Sequence, residues 1–113
     1  MFVVGESGDD INEYTLSTAF DVSTATFVDS FSVRSEENVP TGLAFTYDGT
    51  KMFVVGWTGD DVNEYTLSTG FDVSTATFVD SFSITDQDDE PGSLAFSSDG
   101  SKLFLLGREN NKV

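Results

Sequence analysis

The side chains able to do chemistry in this sequence are almost all carboxylates. There are 20 Asp and Glu against 5 Lys and Arg, with neither His nor Cys, for a net charge of −15. Without His and Cys, Ser-His-Asp and Cys-His machinery, zinc sites of the usual kind, and disulfide or thiol chemistry are all excluded. No glycine-rich phosphate loop is present. What remains is acid–base work by paired carboxylates, or the binding of a hard cation through oxygen ligands. Nucleic acids and anionic membranes call for Lys and Arg, so neither is expected as a partner. A cation, a cationic protein or a neutral carbohydrate fits the charge better.

Three features stand out as candidates. Gly8-Asp9-Asp10-Ile11-Asn12-Glu13, matched by Gly59 to Glu64, offers oxygen ligands of the kind Ca²⁺ takes, without the spacing of an EF-hand loop. Gly and Asp are also what a tight turn needs, and the stretch is read as a turn. Asp29 and Asp80 fall in the middle of Phe-rich strands, where a carboxylate is costly unless hydrogen-bonded; a structural role is expected. Trp57 stands where the other copies have Glu6 and Arg108. It could stack on a sugar, but packing against its neighbours is the plainer reading. No residue is therefore assigned as catalytic, metal-binding or cofactor-binding, and no cofactor is expected.

The elements that carry these residues repeat. Residues 1–51 align with 52–102 without a gap, with 35 identities in 51 positions, and 103–113 opens a third copy. Phe20 to Ser32 recurs unchanged as Phe71 to Ser83. A period near 50 made of several short strands fits a propeller blade. The aromatic content, with 11 Phe, belongs to a packed chain and not to an acidic disordered tail. No run is long enough to span a membrane as a helix.

Four strands are read in each unit. Leu43-Ala44-Phe45 alternates. Tyr47-Asp48-Gly49-Thr50 is a hairpin turn, its Asp-Gly pair suited to positive φ. Met52 to Val55 is an unbroken apolar run, as suits a strand covered on both faces. Gly59-Asp60-Asp61 turns into a third strand, Val62 to Ser68, with Asn63, Tyr65 and Leu67 on one face. The fourth strand, Thr77 to Ile84, is expected to place Phe78, Asp80, Phe82 and Ile84 together on one face. The chain should thus contain the last three strands of one unit, a complete second unit, and the first two strands of a third. Nine strands and no helix longer than a turn are expected.

Gly42-Leu43-Ala44-Phe45-Thr46-Tyr47-Asp48-Gly49-Thr50-Lys51-Met52-Phe53-Val54-Val55 and Leu94-Ala95-Phe96-Ser97-Ser98-Asp99-Gly100-Ser101-Lys102-Leu103-Phe104-Leu105-Leu106 resemble the first hairpin of the YVTN and TolB-like β-propellers. Tyr47 and Ser98 stand where that signature often has Pro. The repeat is also similar to near-identical repeats of uncharacterised marine microbial and phage proteins. The resemblance implies blades of four antiparallel strands in a ring, most often six to eight, around a central channel. It implies no single activity.

On that pattern Glu6, Asp9, Asp10, Glu36, Glu37, Asp60, Asp61, Asp86, Asp88, Asp89, Glu90 and Glu109 share one loop face. They amount to 12 of the 20 acids, opposed by Arg34, Arg108 and Lys112. The two copies differ mostly on the same face. The expected protein is all-β, with about two blades per chain and a ring closed by self-association. Its C-terminal Ser93 to Phe96 strand would complete the N-terminal sheet of another chain. A trimer is favoured, for six blades, and a tetramer next. The expected function is a non-enzymatic binding or scaffold module for a carbohydrate or protein. The alternative is a Ca²⁺-dependent propeller hydrolase or lactonase.

Overall fold

The computed structural model describes residues 1–107, so Arg108, Glu109 and Lys112, counted above on the acidic face, lie outside the described residues. Within them the chain is all-β and antiparallel. β1 (Phe2–Gly5), β2 (Asp10–Leu16) and β3 (Ala25–Ser32) form a three-stranded sheet in that order. β4 (Pro40–Phe45), β5 (Lys51–Gly56), β6 (Asp61–Leu67) and β7 (Ala76–Ser83) form a four-stranded one. β8 (Pro91–Phe96) and β9 (Leu103–Gly107) form a two-stranded one. None of the three sheets closes on itself.

The Asp48-Gly49 turn is made by the residues that suggested it. Gly49 lies at φ +73°, where a side chain is strained, and its amide donates to the Thr46 carbonyl at 2.9 Å. Asp48 Oδ1 accepts from the Thr50 amide at 3.0 Å, and Asp99 Oδ1 does the same for Ser101. Between β6 and β7 a single 3-10 turn, Val73–Thr75, is capped by Asp72, whose Oδ1 accepts from the Ser74 amide at 3.1 Å. Asp21 caps the matching turn Val22–Thr24 through the Ser23 amide.

The fourth strand departs from its expected alternation. Glu64 pairs with Asp80 but Tyr65 pairs with Phe78, so Val79 is the extra residue of a β-bulge. Glu13, Tyr14, Phe27 and Asp29 repeat the pattern, with Val28 extra. The inserted residue flips the face. Phe78 therefore lies on the side of Tyr65, touching its ring at 5.7 Å, while Asp80 and Phe82 lie on the opposite side with Glu64 and Val62. Plain period-two counting carried them all to one face because a bulge leaves no period of its own.

The apolar run in β5 is covered on both faces. Met52 and Val54 are fully buried with Tyr65, Leu67, Val73, Ile11 and Val33, against Phe2, Val4 and Phe31 of the three-stranded sheet. Val55, one residue on, is fully buried with Val62, Ile84 and Leu94, against Phe53, Phe96 and Leu105 on the side of the two-stranded sheet. Successive side chains thus enter two different cores, one on each face of the middle sheet.

The identical stretches in the two copies meet different surroundings. Val73 is 0% exposed, whereas Val22, its equivalent, is 69% exposed. Burying a Val side chain fully is worth about 2 kcal/mol. Val73→Ala should therefore lower unfolding free energy by about 2 kcal/mol, and Val22→Ala by under about 0.5 kcal/mol in the single chain. Urea denaturation of the two variants at concentrations dilute enough for single chains measures the difference.

Candidate functional site: the acidic loop face

The turns after β1 and β5 and the loops after β3 and β7 come together. Asp9 and Asp60 hold left-handed backbone, at φ 54° and 50°, a conformation Asp tolerates better than most residues. Their carbonyls accept from the Val33 and Ile84 amides, each at 2.9 Å. That bond ties each β-turn to the loop leaving the last strand of the same sheet. Arg34 Nε lies 3.6 Å from Asp9 Oδ2 across it.

Glu37 crosses from one sheet to the next. It leaves the loop after β3 and is wholly buried. Its Oε1 accepts from the Val39 amide at 2.7 Å and the Thr58 amide at 3.0 Å, and its Oε2 from the Gly59 amide at 3.0 Å. A carboxylate held by several amides is among the stronger polar contacts a loop offers. Gly56 leaves the room, since a Cβ there would collide with the Glu37 side chain and the Val39 carbonyl. Asp88 stands at the Glu37 position of the second copy, 4% exposed, and its Oδ1 accepts from the Glu90 amide at 2.8 Å.

Asp9, Glu37 and Asp88, expected on an exposed acidic surface, are therefore buried. Repeat comparison could not single out Glu37, because the 33–39 stretch is where the copies diverge. Glu6, Asp86 and Asp89 are exposed as expected. Asp10 and Asp61 each accept from the Asn two residues on, Asn12 Nδ2 at 3.0 Å and Asn63 Nδ2 at 2.9 Å. Asp29 and Asp80 accept from the amide of the next residue, Ser30 and Ser81, at 2.8 Å. Trp57 is half-buried, its amide donating to the Val39 carbonyl at 3.1 Å. Among the described residues no three carboxylates converge in a way that could hold a metal ion.

The charge is uneven in its consequences. Asp60 Oδ1 is buried with no hydrogen-bond partner among the described residues. Loss of water raises the Asp60 pKa, and Asp89, Glu37 and Asp88 raise it further. Asp61 is raised by burial first, and then by Glu37 and Asp60, with the Asn63 bond acting in the other direction. On the opposite loops the reverse holds. Asp99 is pulled down to about 2 by its bonds to the Ser101 amide, the Ser101 hydroxyl and the Ser97 hydroxyl. Asp48 is lowered by the same set from Thr50 and Thr46. Tyr65 is fully buried between Phe31 and Phe78, its hydroxyl donating to Glu36 Oε2 at 3.1 Å. That burial pushes the phenol well above its ordinary range.

No protein-family model matches the chain, and no curated protein matches it. Its fold is similar to the crystal structure of a functionally unknown protein from Desulfotomaculum acetoxidans, with a TM-score of 0.63 at 16% identity. The likeness covers 95% of this chain and 34% of that one, so the chain spans about a third of that protein's length.

Two outcomes follow for this face. Glu37→Gln replaces one acceptor oxygen with an NH2 donor that faces a backbone N–H, and should cost about 1–3 kcal/mol of unfolding free energy, measured by urea denaturation. The pH dependence should have two limbs. Asp60 and Asp61 have raised folded pKa values, so their neutral forms favour the fold, and stability falls as pH rises through those values. Asp48 and Asp99 have lowered ones, so their stabilisation is present above about 3.8 and lost as pH falls through the folded values, about 2 for Asp99. Tm against pH should peak in mild acid, and Asp60→Asn should raise Tm at pH 7 but not at pH 3.

Proposed function

We propose that this chain is a run of propeller-type blades serving as a non-enzymatic binding or scaffold module. Each sheet is one blade, complete in the middle and partial at either side, as in the YVTN and TolB-like propellers whose first hairpin it resembles. The acidic loop face is the surface that meets a ligand, with a cationic protein or a carbohydrate as the class its charge admits. Further copies of the same unit continue the stack into a ring, with three chains favoured and four next.

The observation that carries the reading is where the carboxylates of the turns and loops spend their oxygens. Asp21, Asp72, Asp48 and Asp99 accept from backbone amides of their own turns. Asp10 and Asp61 accept from neighbouring Asn side chains, and Glu37 from three amides. Carboxylates held in this way shape loops, whereas a catalytic pair needs a carboxyl poised at a reacting atom. The stacking of sheets on both faces of β5 supports the blade reading. A likeness to part of a longer protein supports the idea that such a stack extends beyond this many sheets.

One observation favours the alternative, a Ca²⁺-dependent hydrolase or lactonase. Asp60 is raised in pKa by burial and then by Asp89, Glu37 and Asp88, and Asp61 by burial and then by Glu37 and Asp60. A divalent ion there would relieve the repulsion. Isothermal calorimetry with CaCl₂, alongside a lactone hydrolysis assay, separates the two readings. The binding-module reading expects dissociation constants in the roughly millimolar range, as for carboxylates without a rigid cage, and no turnover. A micromolar Ca²⁺ site abolished by Asp60→Asn with Asp61→Asn, and Ca²⁺-dependent turnover, would establish the enzyme instead.

A further inference from the structure

The contact between the three-stranded and four-stranded sheets is built from residues whose equivalents lie open elsewhere on the same molecule. On the β2–β3 side it uses Phe31 and Glu13. On the receiving side it uses Tyr65 and Val73. Phe31 meets the Tyr65 ring at 5.6 Å, edge on, and Glu13 Oε2 accepts from the Val73 amide at 3.2 Å. The receiving pair is buried: Tyr65 and Val73 are each 0% exposed.

One repeat further on, the giving residues are Phe82 and Glu64. One repeat back, the receiving residues are Tyr14 and Val22. Phe82 is 70% exposed, on the face of β6–β7 that the two-stranded sheet covers only in part, in a cavity lined by Phe53, Val62 and Glu64 and by Phe96 and Leu103 of that sheet. Val22 is 69% exposed, beside Tyr14 and Leu16 on the open side of β2. Phe82 and Val22 belong to the stretch that is identical in both copies, so their exposure reflects position and not sequence. The molecule therefore carries both halves of a contact it makes once internally, on opposite sides, where they cannot meet within one chain.

We propose that the Phe82 face of one chain packs on the Tyr14 and Val22 face of a second copy of this chain, repeating between chains the contact that Phe31 makes with Tyr65 and Val73; the incoming β1 and the resident β9 are equivalent strands that claim one place, so one of them gives way. The two surfaces differ, so the contact is head-to-tail and each chain uses one half in each direction. This deepens the proposed ring, and rests on the reading that the sheets stack as blades. The contact is one of sheet faces and is not a copy of every internal loop contact. Inside the chain Phe71 seats on the Gly49 turn, where Gly70 lets the Asp48 carbonyl come close; a Cβ at position 70 would collide with it. Ala19 stands at the equivalent place beside Phe20. The Asp99-Gly100 turn of a second copy therefore sits further from Phe20 than the Asp48-Gly49 turn sits from Phe71.

The test uses two variants that each break one half. Val22→Asp spoils the receiving face and Phe82→Asp the giving face; both residues are exposed in the single chain, and far-UV circular dichroism checks that each variant keeps the wild-type fold. Light scattering should show wild type above the 12.2 kDa of one chain, and each variant alone at 12.2 kDa. An equimolar mixture should give a heterodimer of about twice that mass and nothing larger, because one intact pair of faces remains. Wild type that stays at one-chain mass while folded would overturn the contact. So would variants that associate like wild type, or folded variants whose mixture stays at one-chain mass. Ring closure is read separately. If wild type grows without limit while the mixture still gives the heterodimer, the contact stands and the closed ring fails.

Discussion

A strand with apolar side chains on both faces must be covered twice, and the whole molecule is arranged around that demand. Met52 and Val54 point one way from β5, and Phe53 and Val55 the other. Each direction alone would suit a sheet with one wet face. Together they require a sheet on either side, because an exposed apolar face loses the burial that holds the strand in place. The stack of three sheets is the smallest answer to that requirement, and it leaves the outer two sheets with the same problem. Exposed Val3, Phe104 and Leu106 are the counterparts of buried Val54, half-buried Phe53 and buried Val55.

The loops settle a different conflict. A chain this acidic must place many carboxylates close together, and loop amides are the nearest compensating dipoles. Glu37 is the fullest case: it gives up its water and takes three amide donors from two segments. It thereby joins the loop after β3 to the turn after β5, so one side chain fixes the spacing of neighbouring sheets. Among the described residues Asp60 Oδ1 and Asp88 Oδ2 are buried with no such compensation, and at Asp60 loss of water, with its acidic neighbours adding to it, raises the pKa. The face that gathers these groups is also the one on which the copies diverge.

Much of this arrangement is legible in the residues. The Asp48-Gly49 turn, the doubly covered Met52 to Val55 run and the strands of each unit can all be read from periodicity and turn chemistry. So can the division into three, four and two strands, which follows from the repeat boundaries. The bulge at Val28 and Val79 is not legible, because an extra residue in one strand is defined only by its partner strand. Nor is the burial of Glu37, whose amide donors come from residues 39, 58 and 59 and are assembled only when two sheets stack. The acids of the loop face can be listed from the sequence, but which of them are buried depends on that tertiary approach.

Cover on both faces, and not strand sequence, decides what holds each sheet. Native-state hydrogen exchange on dilute single chains tests it directly, since β5 and β9 are equivalent apolar strands of successive repeats in different surroundings. The β5 amides should exchange only through global unfolding, while β9 amides open locally at clearly lower free energy. Equal opening free energies for β5 and β9 would contradict it.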